Sequence, residues 1–330
     1  MRLSILDLAP IAPGETARES LAGSVALAQA AERLGYLRVW YAEHHNMPQI
    51  ASSATSVIIA HVAAHTESIR LGAGGVMLPN HSPLVIAEQF GTLEALHPGH
   101  IDLGLGRAPG TDQRTWTALR RDIRAADRFP EDVVELQGYL AGESVVPGIR
   151  AIPGERSRVP LTILGSSLFG AQLAAQLGLP YAFASHFAPA QLHQAVAVYR
   201  ERFEPSEQLA EPYVIAAMNA VVAPTDAEAA QMQRVLVRQR VKGILLRGNP
   251  IAQTIGDDEL DALAASPQAE PVRQMVRITA LGTGERAVAR MREFLIEADA
   301  DELMLAVHGT TEERVRALSL IADAGALADA

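Results

Sequence analysis

The chain contains no cysteine. Disulfides, thiolate metal sites and thiol nucleophiles are therefore excluded, and a reducing compartment is allowed. It also lacks positive charge: 28 Lys and Arg stand against 38 Asp and Glu, a formal net charge of -10. An acidic chain repels phosphate backbones, so no nucleic-acid partner is expected. No apolar run approaches the roughly 20 residues of a membrane helix. The first apolar run ends at Pro10 and Pro13, which makes it too short for a secretory signal. No membrane partner and a cytoplasmic location are the expectations. Internal repeats and low-complexity tracts are absent as well. What is present, 330 residues of which 48% are hydrophobic, suffices for one large core or two modest ones.

Short apolar runs alternate with Ala-rich amphipathic segments. Strands are expected at 3–8, 37–42, 69–79, 100–106, 160–165, 180–185, 213–223 and 302–307. Helices are expected at 17–34, 52–65, 83–96, 113–142, 168–178, 189–203, 226–243, 284–298 and 311–327. Gly35 closes the first helix and Pro83 opens the third, as their backbone preferences favour. Eight strands, each followed by a helix, form the pattern of an α/β (β/α)8 TIM barrel. The strands are apolar throughout rather than alternating, as in a parallel sheet covered on both faces. A doubly wound sheet would open with a Gly-rich phosphate turn after its first strand; here that turn reads APIAPGE. Residues 1–330 are thus expected to form one barrel domain. Segment 246–283 breaks the period and reads as an insertion after strand seven, a candidate lid.

In such a barrel, sites form at the C-terminal ends of strands. YAEHHN ends strand two, GGVMLPNHSP strand three, GRAPG strand four and LGSSLFG strand five. Neither GAGG nor GLGRAPG satisfies G-x-G-x-x-G, because Met77 and Pro109 occupy the third glycine position. Glycine inside a strand instead suggests close approach by another molecule, or a packing glycine at a barrel corner. Arg107 ends strand four, before a turn at Pro109 and Gly110. Its fork suits a phosphate, or alternatively a salt bridge to Asp112. Ser166 and Ser167 precede a helix and can hold an anion, or simply cap it. On adjacent strands, Arg107 and the two serines read together as a phosphate clamp.

His61 and His65 have i, i+4 spacing but lack the glutamate of H-E-x-x-H, so helix packing is favoured and no metal is expected. His44 and His45 are adjacent and on an extended chain point apart. One of them faces the mouth and suits proton transfer, while the other, with Glu43, supports it. Trp40, Tyr41 and Met77 are candidate walls of an apolar substrate pocket, and Asp7 is a candidate polar group in the mouth.

WYAEHHN, LGAGGVMLPNHSPLVIAEQFGTLEALHPGHIDLGLGRAPG and ILGSSLFGAQLAAQLGLPYAFASHF, in this order and spacing, resemble the bacterial luciferase-like flavin monooxygenases over roughly the first two thirds of the chain. The resemblance implies a flavin-dependent monooxygenase. It would use reduced FMN from a separate flavin reductase, and O2, to oxidise an aldehyde-like or other small apolar substrate through a C4a-peroxyflavin. It places the family's catalytic histidine on His44, its phosphate ligands on Arg107, Ser166 and Ser167, and its non-proline cis peptide under the flavin at Gly74–Gly75. The reactive cysteine of light-emitting members falls on Gly106 and a phosphate-binding threonine on Gly170, so those two contacts do not carry over. The resemblance also implies a homodimer, for which the apolar helices at 52–65 and 83–96 are the candidate surface. Alternatives are a deazaflavin-dependent oxidoreductase transferring hydride, a non-catalytic flavin-binding protein, and a metal-dependent hydrolase using His44 or His45.

Overall fold

The computed structural model describes residues 1–12, 14–108, 113–121 and 123–327. Among the described residues there are nine parallel strands: β1 (Leu3–Asp7), β2 (Arg38–Tyr41), β3 (Arg70–Met77), β4 (Ile101–Gly106), β5 (Leu161–Gly165), β6 (Tyr181–Phe183), β7 (Val214–Val222), β8 (Thr279–Gly282) and β9 (Glu302–Val307). Their order is β6-β5-β4-β3-β2-β1-β9-β7-β8, and β6 also pairs with β7. The pairing closes β1 to β7 and β9 into an eight-stranded barrel, as the sequence implies. Strand β8 is an addition. It pairs with Asn219 to Val222, the outer half of the long strand β7, beyond the stretch that meets β6 and alongside the stretch that meets β9.

The outer layer is built by α1 (Ala17–Leu34), α2 (Thr55–Ala63), α3 (Pro83–Leu96), α4 (Gln113–Ala118), α5 (Phe129–Ala141), α6 (Leu168–Gln176), α7 (Leu192–Glu201), α8 (Asp226–Leu245), α9 (Asp257–Ala265), α10 (Glu270–Met275), α11 (Gly284–Glu297) and α12 (Thr311–Asp323). Local chemistry sets their ends. Thr16 and Glu19 form a reciprocal capping box at the start of α1, and Gly35 ends it at φ 83°, a left-handed conformation that glycine adopts without a Cβ clash. The single helix expected over 113–142 is instead α4, a 3-10 segment at Ile123–Arg128, and α5. The turn expected at Pro109 and Gly110, and Asp112 as an ionic partner, lie outside the described residues.

Successive side chains of a strand point to opposite faces. The outward set, with Ile5, Val39, Leu71, Leu103 and Ile163, packs against the helices as one large core. The inward set forms a smaller cluster of Leu6, Trp40, Ala42, Ala182, Ile215, Ala217 and Met304. Below that cluster, the N-terminal end of the barrel is closed by charge. Arg38 pairs with Asp102 at 2.7 Å and with Glu302 at 3.1 Å. Tyr213 donates to Glu302 at 2.8 Å, Trp40 Nε1 to Asp102 at 3.1 Å and Arg70 Nε to Asp102 at 3.0 Å. Each buried carboxylate is met by a cation and further donors, the condition under which burial of charge is tolerated.

Segment 246–283 carries α9, α10 and β8, and its helices pack on α8 around Val241, Leu260, Ala269 and Val272. The expected insertion is therefore partly a continuation of the sheet. No helix among the described residues is long and apolar enough to cross a membrane.

Candidate active site

The rim at the C-terminal strand ends is organised by three groups of side chains. The first centres on Glu43, just beyond β2 and 1% exposed. Its carboxylate accepts from the Met77 amide at 2.9 Å, Asn80 Nδ2 at 3.1 Å, His45 Nε2 at 2.7 Å and His81 Nε2 at 2.9 Å. Burial pushes its pKa up, but the hydrogen bonds from His45, His81 and Asn80 outweigh burial and bring it to about 2. A permanent carboxylate thus ties the end of β2 to the end of β3.

At that end of β3 the Gly74–Gly75 peptide is cis, and the pairing with β4 shifts register between Gly74 and Val76. The glycines here are required by the protein itself. A Cβ on Gly75 would lie 2.7 Å from the Gly104 carbonyl, and one on Gly74 2.9 Å from Trp40 Cβ. Met77 borders Gly106, where a Cβ would lie 2.9 Å from the Met77 sulfur.

The second group lies over β4 and β5. Arg107 places its guanidinium carbon 4.2 Å from the ring centre of Phe169, in the first turn of α6, and Nε donates to the Ala126 carbonyl at 3.3 Å. Among the described residues Arg107 has no carboxylate partner. Ser167 is the N-cap residue of α6, yet its hydroxyl caps no amide. The ordinary capping role is thus not what the geometry shows. Arg107, Ser166 and Ser167 therefore gather at the N-terminus of a nine-residue helix. Beside them Arg120, Arg121, Arg124 and Arg128 line a cavity of about 520 Å³ with Asp127. A guanidinium with no carboxylate partner, two hydroxyls and a helix N-terminus are donors of the kind a phosphate site uses.

The third group lies over β2, β6, β7 and β9. His44 and His45 divide as adjacent residues must. His45 bonds Glu43, whereas His44 shares the environment of His186 and Arg240. The buried Nδ1 of His44 makes no well-formed hydrogen bond, and burial lowers its pKa below the usual 6.5 against the opposing pull of the Ala42 carbonyl and Glu43. His186 follows β6 and His308 follows β9, and burial brings both to about 3. Asn219 of β7, fully buried, joins them: His308 Nε2 donates to its Oδ1 at 2.8 Å, and its Nδ2 donates to the His186 carbonyl at 2.6 Å. The same Nδ2 reaches the carbonyls of Met275 and Ile278, at 3.1 and 3.2 Å, which secures the insertion to the rim.

Three expected site residues are placed elsewhere. Asp7 is on the outward face of β1, where its oxygens take Arg314 of α12, Ser24 of α1 and the Ala9 amide. It braces the helix layer and is absent from the mouth, because its neighbours Leu6 and Leu8 hold the inward positions. Trp40 is 1% exposed and held by Asp102, so it fills the barrel beneath the mouth as floor rather than wall. Tyr41 is fully buried in the outer core. His61 and His65 lie exposed on the outside of α2, with His65 Nδ1 donating to the His61 carbonyl at 2.7 Å. Sequence reasoning missed His186, Asn219, Arg240 and His308. The signal was available: each histidine follows an apolar strand run, and Asn219 is the one polar residue inside VIAAMNAVV.

Comparison with known proteins bears on the family and the fold. Residues 1–302 match the family model described as luciferase-like monooxygenase. A protein of Escherichia coli strain K12 named luciferase-like monooxygenase is 48% identical over 92% of this chain and 90% of its own. The N-acetyl-S-alkylcysteine monooxygenase of Bacillus subtilis strain 168 is 34% identical over 87% of this chain and 86% of its own. The crystal structure of apo-MsnO8 superposes with a TM-score of 0.85 at 34% identity, covering 99% of both chains.

Proposed function

Since the chain belongs to the luciferase-like monooxygenase family, we propose that it is a flavin-dependent monooxygenase. It takes reduced FMN from a separate flavin reductase, uses O2, and oxidises a small organic substrate in the cytoplasm. The observation that carries this reading is the pairing, on one rim, of a dianion-type donor set at β4 and β5 with the imidazole of His44, whose buried Nδ1 makes no well-formed hydrogen bond.

In this reading Arg107, Ser166 and Ser167 hold the phosphate of FMN, with the adjoining arginines adding positive potential. The Gly74–Gly75 step supports the ring, and Met77 packs beside it. Reduced FMN, when bound, supplies the electrons and the oxygen-activating carbon, chemistry that no side chain can provide. The protein supplies placement, dryness and proton control. His44 is neutral at pH 7 and accepts or returns a proton at its ring nitrogens. Glu43 fixes the loop that carries it. Segment 246–283, secured by Asn219, serves as the lid that keeps water from the reacting centre. The Bacillus relative's name supports thioethers, beside aldehydes, as the first substrates to test. The exposed apolar residues of α2 and α3, Val57, Val85 and Leu96, support a homodimer through that face.

The deciding experiment is absorbance titration with FMN and riboflavin, followed by oxygen uptake with reduced FMN over aldehydes and thioethers. Micromolar FMN binding with substrate-dependent oxygen uptake is expected. Hydride transfer from a reduced deazaflavin without oxygen uptake would replace this reading.

A further inference from the structure

The side-chain amide of Asn219, fully buried in β7, can point only one way. Its Nδ2 donates to three carbonyls, those of His186, Met275 and Ile278, at 2.6, 3.1 and 3.2 Å. A flipped amide would press its oxygen against all three with no proton between them. Oδ1 therefore faces His308, whose Nε2 lies 2.8 Å away. An oxygen that only accepts requires the proton to sit on Nε2. A neutral imidazole carries a single ring proton, and burial keeps His308 neutral at pH 7. Nδ1 is thus left as a bare lone pair, and among the described residues it makes no hydrogen bond.

The strand aims this ring at the mouth. Along β9, Leu303, Leu305 and Val307 belong to the outer core and Met304 to the inner cluster. The ladder with β7 continues past Val307, because the His308 amide donates to the Ala220 carbonyl at 3.0 Å. Alternation therefore turns His308 inward, above Met304. Its side chain is half-buried, so the mouth is not sealed from it.

We propose that Asn219 is a positioning residue that fixes His308 as the Nε2–H form, and that Nδ1 of His308 accepts a hydrogen bond from an O–H or N–H group of the substrate. The proposal rests on the enzyme reading above only in calling this ligand the substrate.

The fixed proton selects the ligand. A carbonyl, ether or thioether has no proton to give Nδ1, whereas a hydroxyl or an amide N–H completes it. An acceptor drawn away from water and left without a donor costs stability, so a ligand lacking the donor is disfavoured. The barrel interior below is Leu6, Ala42, Ala217 and Met304, so the remainder of the ligand is apolar. The substrate class is a small apolar molecule that bears one hydroxyl or amide beside its reacting atom.

The first test needs no variant. Heteronuclear NMR of protein carrying nitrogen-labelled histidine should show His308 at pH 7 with a protonated Nε2 and a bare Nδ1. Loss of the signals in His308→Gln assigns them. In Asn219→Ala the other tautomer should appear, because nothing then dictates where the proton sits. The second test is calorimetric titration with hexanol and with hexyl methyl ether, which differ in the O–H. The wild type is expected to prefer the alcohol by about three- to tenfold, as one neutral hydrogen bond provides. His308→Phe should bring that ratio near one. An FMN titration of the wild type accompanies them.

A protonated Nδ1 in the wild type, or an unchanged single tautomer in Asn219→Ala, overturns the proposal. So does equal binding of alcohol and ether, binding of neither, or an alcohol preference that survives in His308→Phe. Failure of the wild type to bind FMN, with the tautomer and the alcohol preference intact, would sink the flavin reading and leave this one standing.

Discussion

Arg107 lies over the ring of Phe169, its guanidinium carbon 4.2 Å from the ring centre. The contact aims a cation from the end of β4 at the first turn of α6 and needs no carboxylate to hold it there. Stacking of this kind contributes about 0.5–1 kcal/mol at an exposed site, enough to orient the fork without neutralising it.

Arg107→Ala is therefore expected to weaken FMN by about tenfold or more and riboflavin hardly at all, since only FMN carries the phosphate. Phe169→Leu should give a smaller loss in the same direction. Flavin absorbance or fluorescence titration reads both, and equal losses for the two flavins would remove the phosphate role.

His44→Ala should keep flavin affinity within a few-fold and lower turnover by about 100- to 10,000-fold, the usual contribution of a positioned proton-transfer group. Oxygen uptake under saturating reduced FMN measures it. Turnover at the parental rate would take His44 out of the reaction.

Acid should destabilise the protein from about pH 6.5 downward. Burial holds His186 and His308 near 3, against 6.5 for the free side chain. Between those values the unfolded chain binds protons that the folded one refuses, so stability falls as pH falls and is flat above the window. Each histidine contributes at most about 1.4 kcal/mol per pH unit. Glu43, near 2 when folded, adds to the loss below its ordinary 4.5. His308→Gln keeps a donor for Asn219 and removes one titrating group, so the slope of unfolding free energy between pH 5 and 6 should shrink. Urea unfolding across that range reports it; an unchanged slope would show His308 to be protonated in the fold.

Val57 and Leu96 are 66% and 63% exposed on α2 and α3. Isolated apolar side chains at a surface are common, but this pair and Val85 lie on two helices that pack side by side. Replacing both Val57 and Leu96 with Glu should convert a dimer to a monomer in sedimentation while leaving the circular dichroism unchanged. A wild type that sediments as a monomer would remove the interface.

The barrel was legible because its signal is carried by long apolar runs bounded by Gly, Pro and strand-end motifs. Strand β8 was not, because TALG is four residues long and lies in a polar segment. Its pairing depends on β7 being long enough to offer an outer half, which is a tertiary fact. The strand-end rule put His44, Arg107 and the serines at the rim, where the structure also has them, and applied to HFAP and HGTT it would have put His186 and His308 there too. Asp7 was misplaced for a reason of parity: one step along β1 turns a residue from the mouth to the helix layer. Arg240 had no local signal at all. Its position comes from the packing of α8 on α9 and α10, which only the three-dimensional arrangement shows.

The ionic closure of the barrel floor by Arg38, Asp102 and Glu302 has a kinetic consequence. A vessel stoppered at its base has a single door. In the proposed flavin reading, cofactor, oxygen and substrate would share that opening, and a ligand seated deep would be covered by one that follows it.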